Sequence, residues 1–475
     1  MRLFGVTLTP VNIAVLTALG LSGYFLSRSL LFGPRRGGGP GGPPGERVPF
    51  SFSFPVQPPP SQASGSRPRV LVTGGAGFIG SHTVVELIGA GFAVTILDNL
   101  VNSSPESVAR VRKLVSAPEA IEFVRGDVRD EGVLASVLSG APHVAIIHFA
   151  ALKAVGESIS KPLDYYENNL GGLTTVLAAA RAYGIKQVVF SSSATVYGNA
   201  EPPFTEATTV GMGITNPYGQ TKYIAEIILK DFTVANPEVA IACLRYFNPV
   251  GAHASGTIGE DPQGVPNNIM PFVQRVAVGK YPKLTIHGND YDTPDGSAQR
   301  DYIHVVDLAK GHVKALAFLG KRAAAGLGGI EVVNLGTGQA VSVLELVKAF
   351  ETASGKAIPY AIGPRRPGDV PAVWADPEKA SKVLGWKAVS QPASRALCVC
   401  VCVLKVPTPC PHTEVSSATF ACPPTPQPLP TCRRKTSMTC AQTPGGGSAR
   451  TPMATGVNDT HFGYKKQIKR YPFSS

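Results

Sequence analysis

The segment Thr73-Gly74-Gly75-Ala76-Gly77-Phe78-Ile79-Gly80 follows the apolar run 70–72 and leads into a helical pattern beginning at Ser81. No other feature constrains the chain more. Between a strand and a helix, three glycines at this spacing have separate jobs: Gly74 permits a tight turn, Gly77 lets the backbone approach a pyrophosphate, and Gly80 allows close helix–strand packing. Phosphates then face the free N–H groups and positive dipole of the helix start, with Phe78 and Ile79 in the same loop. Asp98 closes the next apolar run about twenty residues on, where an acid binds a ribose. A carboxylate there repels a 2′-phosphate, so the pattern predicts NAD rather than NADP.

The segments that follow alternate between two periods. Short apolar runs at 70–72, 93–97, 122–124, 144–148, 187–191 and 240–244 predict strands, and stretches such as 82–90, 170–183 and 222–235 predict helices. Such alternation implies an α/β fold, a Rossmann-type doubly wound parallel sheet. Hydrophobic and charged contents of 44% and 16% exclude a multi-span membrane protein. The net charge of +12 invites a nucleic-acid reading, but no long basic run or interleaved aromatic platform supports one. Seven of the eight cysteines lie between Cys398 and Cys440 without paired metal spacing, so neither disulfides nor a metal site is expected in the body.

Tyr218 and Lys222 stand four apart at the start of a predicted helix, which puts them on one face. A phenol titrating near ~10 becomes a useful base only if a cation stabilises its phenolate. Lys222, with the positive charge of oxidised nicotinamide, supplies that. Alone, such a pair is more often ordinary surface or core; after a nucleotide fingerprint the balance reverses.

With Ser191-Ser192-Ser193 ending a strand, this set resembles the extended short-chain dehydrogenase/reductase superfamily. Finer motifs resemble its UDP-glucose 4-epimerases: Asp98-Asn99, Phe149-Ala150-Ala151-Leu152-Lys153, Ser191 to Gly198, Arg245-Tyr246-Phe247-Asn248, Pro266-Asn267-Asn268-Ile269, Arg300-Asp301-Tyr302 and Arg365-Arg366-Pro367-Gly368-Asp369. They run in the family's order over residues 69–388. The resemblance implies that Tyr218 removes the sugar 4-hydroxyl proton while carbon 4 passes hydride to NAD. Ser193 would hydrogen-bond that oxygen, and Lys222 would hold the cofactor ribose. Asp98, Asn99, Asp127, Val128, Phe149, Ala150, Lys153, Asn168 and Phe247 match cofactor positions, and Asn248, Asn268, Ile269, Arg300, Arg366 and Asp369 match UDP-sugar positions. Related sugar-nucleotide dehydratases carry an Asp-Glu pair just after the serine; Ala194-Thr195 replaces it here, leaving elimination without a proton donor. Val373 stands where relatives carry a bulky Tyr or a Cys beside the sugar 2-position, and His287 replaces a frequent Phe near the uracil.

The resemblance thus implies interconversion of UDP-glucose and UDP-galactose by a homodimer, with no nucleic acid as partner. A UDP-arabinose/UDP-xylose 4-epimerase and an inactive NAD- or UDP-sugar-binding protein are the alternatives. The expected organisation is a membrane anchor or targeting segment over 1–32, a Gly/Pro-rich linker over 33–68, and the epimerase body over 69–388. Within the body, residues 69–246 bind dinucleotide and residues 247–300 with 341–388 form the substrate part. Residues 3–27 carry no charge, and arginines flank both ends, which favours a membrane tether with a cytoplasmic catalytic domain over Golgi-lumenal, organelle-targeted or cytosolic placement.

Beyond Ala388 the resemblance stops and a Cys/Pro/Thr/Ser mixture follows, expected as a disordered tail over 389–475. Residues 438–456 admit codons that, read one base out of step, give the family's ending: Asp across Met438/Thr439 and Gly across Met453/Ala454 are forced. A retained intron over 389–433 followed by a frame shift accounts for this pattern.

Overall fold

The computed structural model describes residues 65–389 except 367, together with Phe54 and two short paired strands, Arg2–Leu3 and Val6–Thr7. Apart from those two strands, the expected anchor, nearly all of the linker, and the tail after Val389 lie outside the described residues. Among the described residues, no helix is long and apolar enough to cross a membrane.

Seven parallel strands form the central sheet: β1 (Arg69–Thr73), β2 (Ala93–Asp98), β3 (Ile121–Arg125), β4 (Ala145–His148), β5 (Gln187–Ser193), β6 (Ala240–Tyr246) and β7 (Gly329–Leu335). Their order is β3-β2-β1-β4-β5-β6-β7, which places the switch in winding direction between β1 and β4. Strands covered on both faces must be apolar on both, which explains runs rather than alternation. Side chains along β1 diverge accordingly: Val70 and Val72 join one core cluster, whereas Leu71 packs into another on the opposite face.

Four helices position the site: α1 (Phe78–Gly89), α2 (Gly172–Ala182), α3 (Pro217–Ala235) and α4 (Val305–Ala324). On one face, Val84, Leu87 and Ile88 of α1 share a core with Leu308, Ala315, Leu316 and Leu319 of α4. Asn216 caps α3 by accepting from the Gly219 N–H at 2.9 Å, and Pro217 supplies the preset φ of a first helical residue. The catalytic candidates on α3 therefore hang from a fixed helix start.

The substrate part is built from shorter pieces. Leu284–His287 pairs in parallel with Tyr360–Gly363, and Gln299–Arg300 lies between Val341–Ser342 and Ala372–Val373. Met270, Val273, Leu346 and Phe350 form a separate core beneath them. The register sets Arg300 opposite Val373.

Three local features differ from the sequence expectation. Helix α1 starts at Phe78 rather than Ser81, because Gly80 allows the first turn to wrap onto the loop. A Cβ at Gly80 would lie 2.3 Å from the Gly74 carbonyl oxygen. A π-helical turn, Glu167–Gly171, precedes α2 where one continuous helix was expected. Strand β7 was not expected; Glu331 and Asn334 break its apolar run.

Candidate active site

A cavity of about 1150 Å³ opens beyond the carboxyl ends of β1, β4, β5 and β6, where ligands bind in open α/β sheets. Gly74, Gly77, Phe78, Ile79 and Gly80 line one end of it. Gly74 has φ +70°, and a Cβ there would sit 2.7 Å from the Ala150 nitrogen, so both the turn and the neighbouring loop require glycine. Gly77 is the N-cap of α1 and has no capping side chain, and the first turn carries no acid. The helix start thus presents uncapped N–H groups to the cavity, as a pyrophosphate needs.

Asp98 is buried and works on both sides of this loop. One carboxylate oxygen accepts from the Ala76 N–H at 3.0 Å, and the other from the Leu100 N–H and the Ser103 hydroxyl at 2.9 and 2.8 Å. Asn99 donates to Asp127 at 3.1 Å. Arg129 holds the Asp127 carboxyl down at about 2, chiefly by hydrogen bonding. Asp127 itself does not line the cavity, whereas Asp98, Asn99, Val128, Phe149, Ala150, Lys153 and Asn168 do. These features fit a bound dinucleotide: a glycine cradle, a helix start without acids, and an acid at the end of β2.

The catalytic candidates Ser193, Tyr218 and Lys222 line the same cavity. Ser193 ends β5, and its side chain acts on Tyr218. Burial holds the Tyr218 phenol above its ordinary value, while the Ser193 contact pulls it down. Lys222 lies with its ammonium 5.9 Å from the centre of the Tyr218 ring and donates to the Ser191 carbonyl at 2.6 Å. Burial lowers the lysine to about 8, against the upward pull of Cys243 and Glu226.

At the opposite end, Asp369 accepts from both Arg300 and Arg366, the latter at 3.2 Å. These three, with Phe247, Asn248, Asn268, Ile269, Val373 and His287, line the same cavity. Two guanidinium groups braced by one carboxylate suit a diphosphate. All the sequence candidates except Asp127 therefore reach one space.

Sequence reasoning missed several supporting groups. Asn169, in the π turn, accepts from the Leu152 N–H at 2.8 Å and donates to the Leu152 carbonyl and the Thr221 hydroxyl, both at 3.0 Å. It ties the Phe149–Lys153 loop to α3, and its position beside Asn168 was its only signal. Glu226 stands one turn beyond Lys222 and accepts from Arg245 at 2.7 and 3.0 Å and from Ser192 at 2.5 Å. Its spacing from Lys222 marked the helix face but not the partner. Glu260 accepts from both Lys153 and Asn268. The Thr195 hydroxyl is buried, lines the cavity and has no protein partner.

Residues 71–392 match a family model described as GDP-mannose 4,6 dehydratase. That elimination needs a titrating donor after the serine, and Ala194 and Thr195 do not titrate. The chain is 53% identical over 320 residues to the UDP-glucose 4-epimerase of Bacillus subtilis, covering 67% of this chain and 92% of that one. It is 54% identical over 323 residues to an Arabidopsis thaliana bifunctional UDP-glucose 4-epimerase and UDP-xylose 4-epimerase, covering 67% of this chain and 91% of the relative. Among solved structures, the Bifidobacterium longum UDP-glucose 4-epimerase in complex with NAD+ and UDP superposes with a TM-score of 0.66 at 50% identity, over 70% of this chain and 97% of that one. With its glycine cradle, its Ser193–Tyr218–Lys222 set and these relatives, the chain belongs to the UDP-glucose 4-epimerase family of extended short-chain dehydrogenases/reductases.

Proposed function

We infer that this chain is an NAD-dependent isomerase that inverts carbon 4 of UDP-glucose to give UDP-galactose, and the reverse. The observation that carries the reading is convergence: the glycine cradle, the Ser193–Tyr218–Lys222 group and the Arg300/Arg366/Asp369 cluster line one cavity. At about 1150 Å³ it exceeds the usual small-ligand pocket of ~300–1,000 Å³, as a site for a dinucleotide beside a sugar nucleotide must.

NAD bound on the cradle supplies a reversible hydride acceptor at carbon 4. The protein's own residues handle the proton and the positioning. Tyr218 takes the 4-hydroxyl proton and later returns it, so no net proton is released. Ser193 orients that oxygen, and the Lys222 ammonium favours the phenolate electrostatically. Arg300 and Arg366 hold the diphosphate while the 4-keto sugar turns its other face to the cofactor.

A coupled assay with UDP-galactose tests this. Conversion to UDP-glucose is expected, with purified protein carrying dinucleotide; absence of both would end the reading. UDP-pentose epimerisation is a second activity, supported by the 54% identity to the bifunctional plant enzyme and by the mid-sized Val373 at the cavity wall. UDP-arabinose run in parallel ranks the two. We further propose a homodimer, to be read by sedimentation, and a membrane tether through residues 3–27, to be read from the location of a fluorescent fusion of residues 1–68.

A further inference from the structure

Behind the catalytic lysine lies a chain of polar groups to which the proposed chemistry gives no role. His312, in the middle of α4, is completely buried. Its Nδ1 is 2.9 Å from the Leu308 carbonyl oxygen. A carbonyl only accepts, so Nδ1 carries the proton, and Nε2 of the neutral ring is left as an acceptor. The phenolic hydroxyl of Tyr246, at the end of β6, lies against that Nε2 and must donate to it. Burial keeps the imidazole neutral, lowering it to about 4.

With its proton committed to His312, Tyr246 offers only lone pairs to its other neighbour. That neighbour is the Ser191 side chain, which acts on the phenol against the burial that raises it. Ser191 in turn has a lone pair facing Lys222 Nζ at 3.2 Å, beside its own carbonyl at 2.6 Å from the same ammonium. The direction of every bond in the series is therefore set by one carbonyl on α4. Phe149, from the cofactor loop, closes the outer side of the imidazole at 4.8 Å between ring centres.

We propose that Tyr246 and His312 are positioning residues that orient the Ser191 hydroxyl so that its lone pair, not its proton, meets the Lys222 ammonium. This rests on the epimerase reading of the site. A hydroxyl turned the other way would point its proton at a cation already paying for burial. The fixed direction instead keeps Lys222 charged, which Tyr218 needs.

The other groups around this pair are accounted for. Glu226 on α3 and Cys243 on β6 raise the lysine, and His148 on β4 is lowered by it. Tyr218 is faced by Ser193 and Tyr165. None of these touches His312.

The test uses the NAD-loaded enzyme and two readouts: the pH profile of kcat, and tyrosinate difference absorbance against Tyr218→Phe, which needs no substrate. Tyr246→Phe and Ser191→Ala should each narrow the profile by about half a unit or more at both limbs. They should lower kcat about tenfold, the scale of one hydrogen bond to a charged group, with KM within twofold of native. The tyrosinate signal should appear at correspondingly higher pH. His312→Leu should match them, and His312→Gln, which keeps an acceptor, should recover part of the shift. Native limbs in the folded variants, with only a lower Tm, would overturn the proposal and leave a structural contact. If Tyr246→Phe does not fold, the Leu/Gln pair at 312 and Ser191→Ala decide it. A native enzyme that titrates Tyr218 but turns over no UDP-sugar would instead sink the epimerase reading and leave the relay standing.

Discussion

On the proposed reading the cofactor half and the substrate part both receive a diphosphate, but with different materials. In the cofactor half the backbone does the binding: three glycines, an uncapped helix start, and Asp98 holding the loop from behind. In the substrate part side chains would do it, with Arg300, on a strand of two residues, and Arg366 both braced by Asp369. A backbone site tolerates almost no added atom, whereas a side-chain site tolerates resizing but not loss of charge. The contrast predicts different failures. A cofactor-half lesion should show as lost stability and lost dinucleotide, and a substrate-part lesion as raised KM with dinucleotide retained.

The sharpest cut falls at a group that is part of neither diphosphate site. Tyr218→Phe removes the oxygen proposed to move the proton and leaves both diphosphate sites alone. A loss of about 10³-fold in kcat is expected, within the range for a positioned acid–base group, with bound NAD unchanged. Near-native turnover would take Tyr218 out of the mechanism.

Next in size is Arg300→Ala, which takes one guanidinium from Asp369. Truncating one partner of a hydrogen-bonded, largely buried charge pair costs roughly 2–5 kcal/mol. Steady-state kinetics should therefore show KM for UDP-galactose raised about thirtyfold or more, while dinucleotide content stays native. Loss of NAD from this variant would erase the distinction between the halves.

Gly80→Ala cuts the other way. The new methyl would sit 2.3 Å from the Gly74 carbonyl oxygen and 2.7 Å from Gly75 Cα, both backbone atoms that cannot swing aside. Overpacking of this kind costs about 1–3 kcal/mol, so Tm should fall and the purified protein should carry less dinucleotide. Any enzyme that retains dinucleotide should show near-native KM for the sugar nucleotide.

The same contrast governs what the sequence reveals. The parallel sheet and its glycine loop are readable because burial on both faces demands apolar runs, and because the φ of +70° at Gly74 demands a residue type. Strand β7 escaped because Glu331 and Asn334 interrupt its run; Glu331 pairs with Lys379, and Asn334 is buried on Tyr197. The substrate part, made of strands of two to four residues, carries too short a period to read, and its residues were found through resemblance. Groups joined only by packing left no local signal. Tyr246 and His312 are 66 residues apart, and Asn169 reaches Thr221 across 52.

Acid offers the gentlest probe of the two regions. Burial lowers His82 on α1 to about 4, His148 at the end of β4 to about 3, and His312 on α4 to about 4. His82 and His148 belong to the cofactor half, and α4, which carries His312, shares a core with α1. Their ordinary value in an unfolded chain is 6.5, so between 6.5 and about 4 the unfolded state binds more protons than the folded one. Stability from these neutral rings is thus full above pH 6.5 and is lost as pH falls towards 4. Urea melts at pH 7 and pH 5 should show this loss. His82→Gln should shrink it by at most about 2 kcal/mol, the 1.5 units below 6.5 at ~1.36 kcal/mol each. His82 is 1% exposed and its Nε2 has no partner, so against burial only the Phe78 carbonyl, 2.7 Å from Nδ1, favours the protonated ring. An equal pH dependence in wild type and His82→Gln would mean that this ring takes up its proton without unfolding the cofactor half.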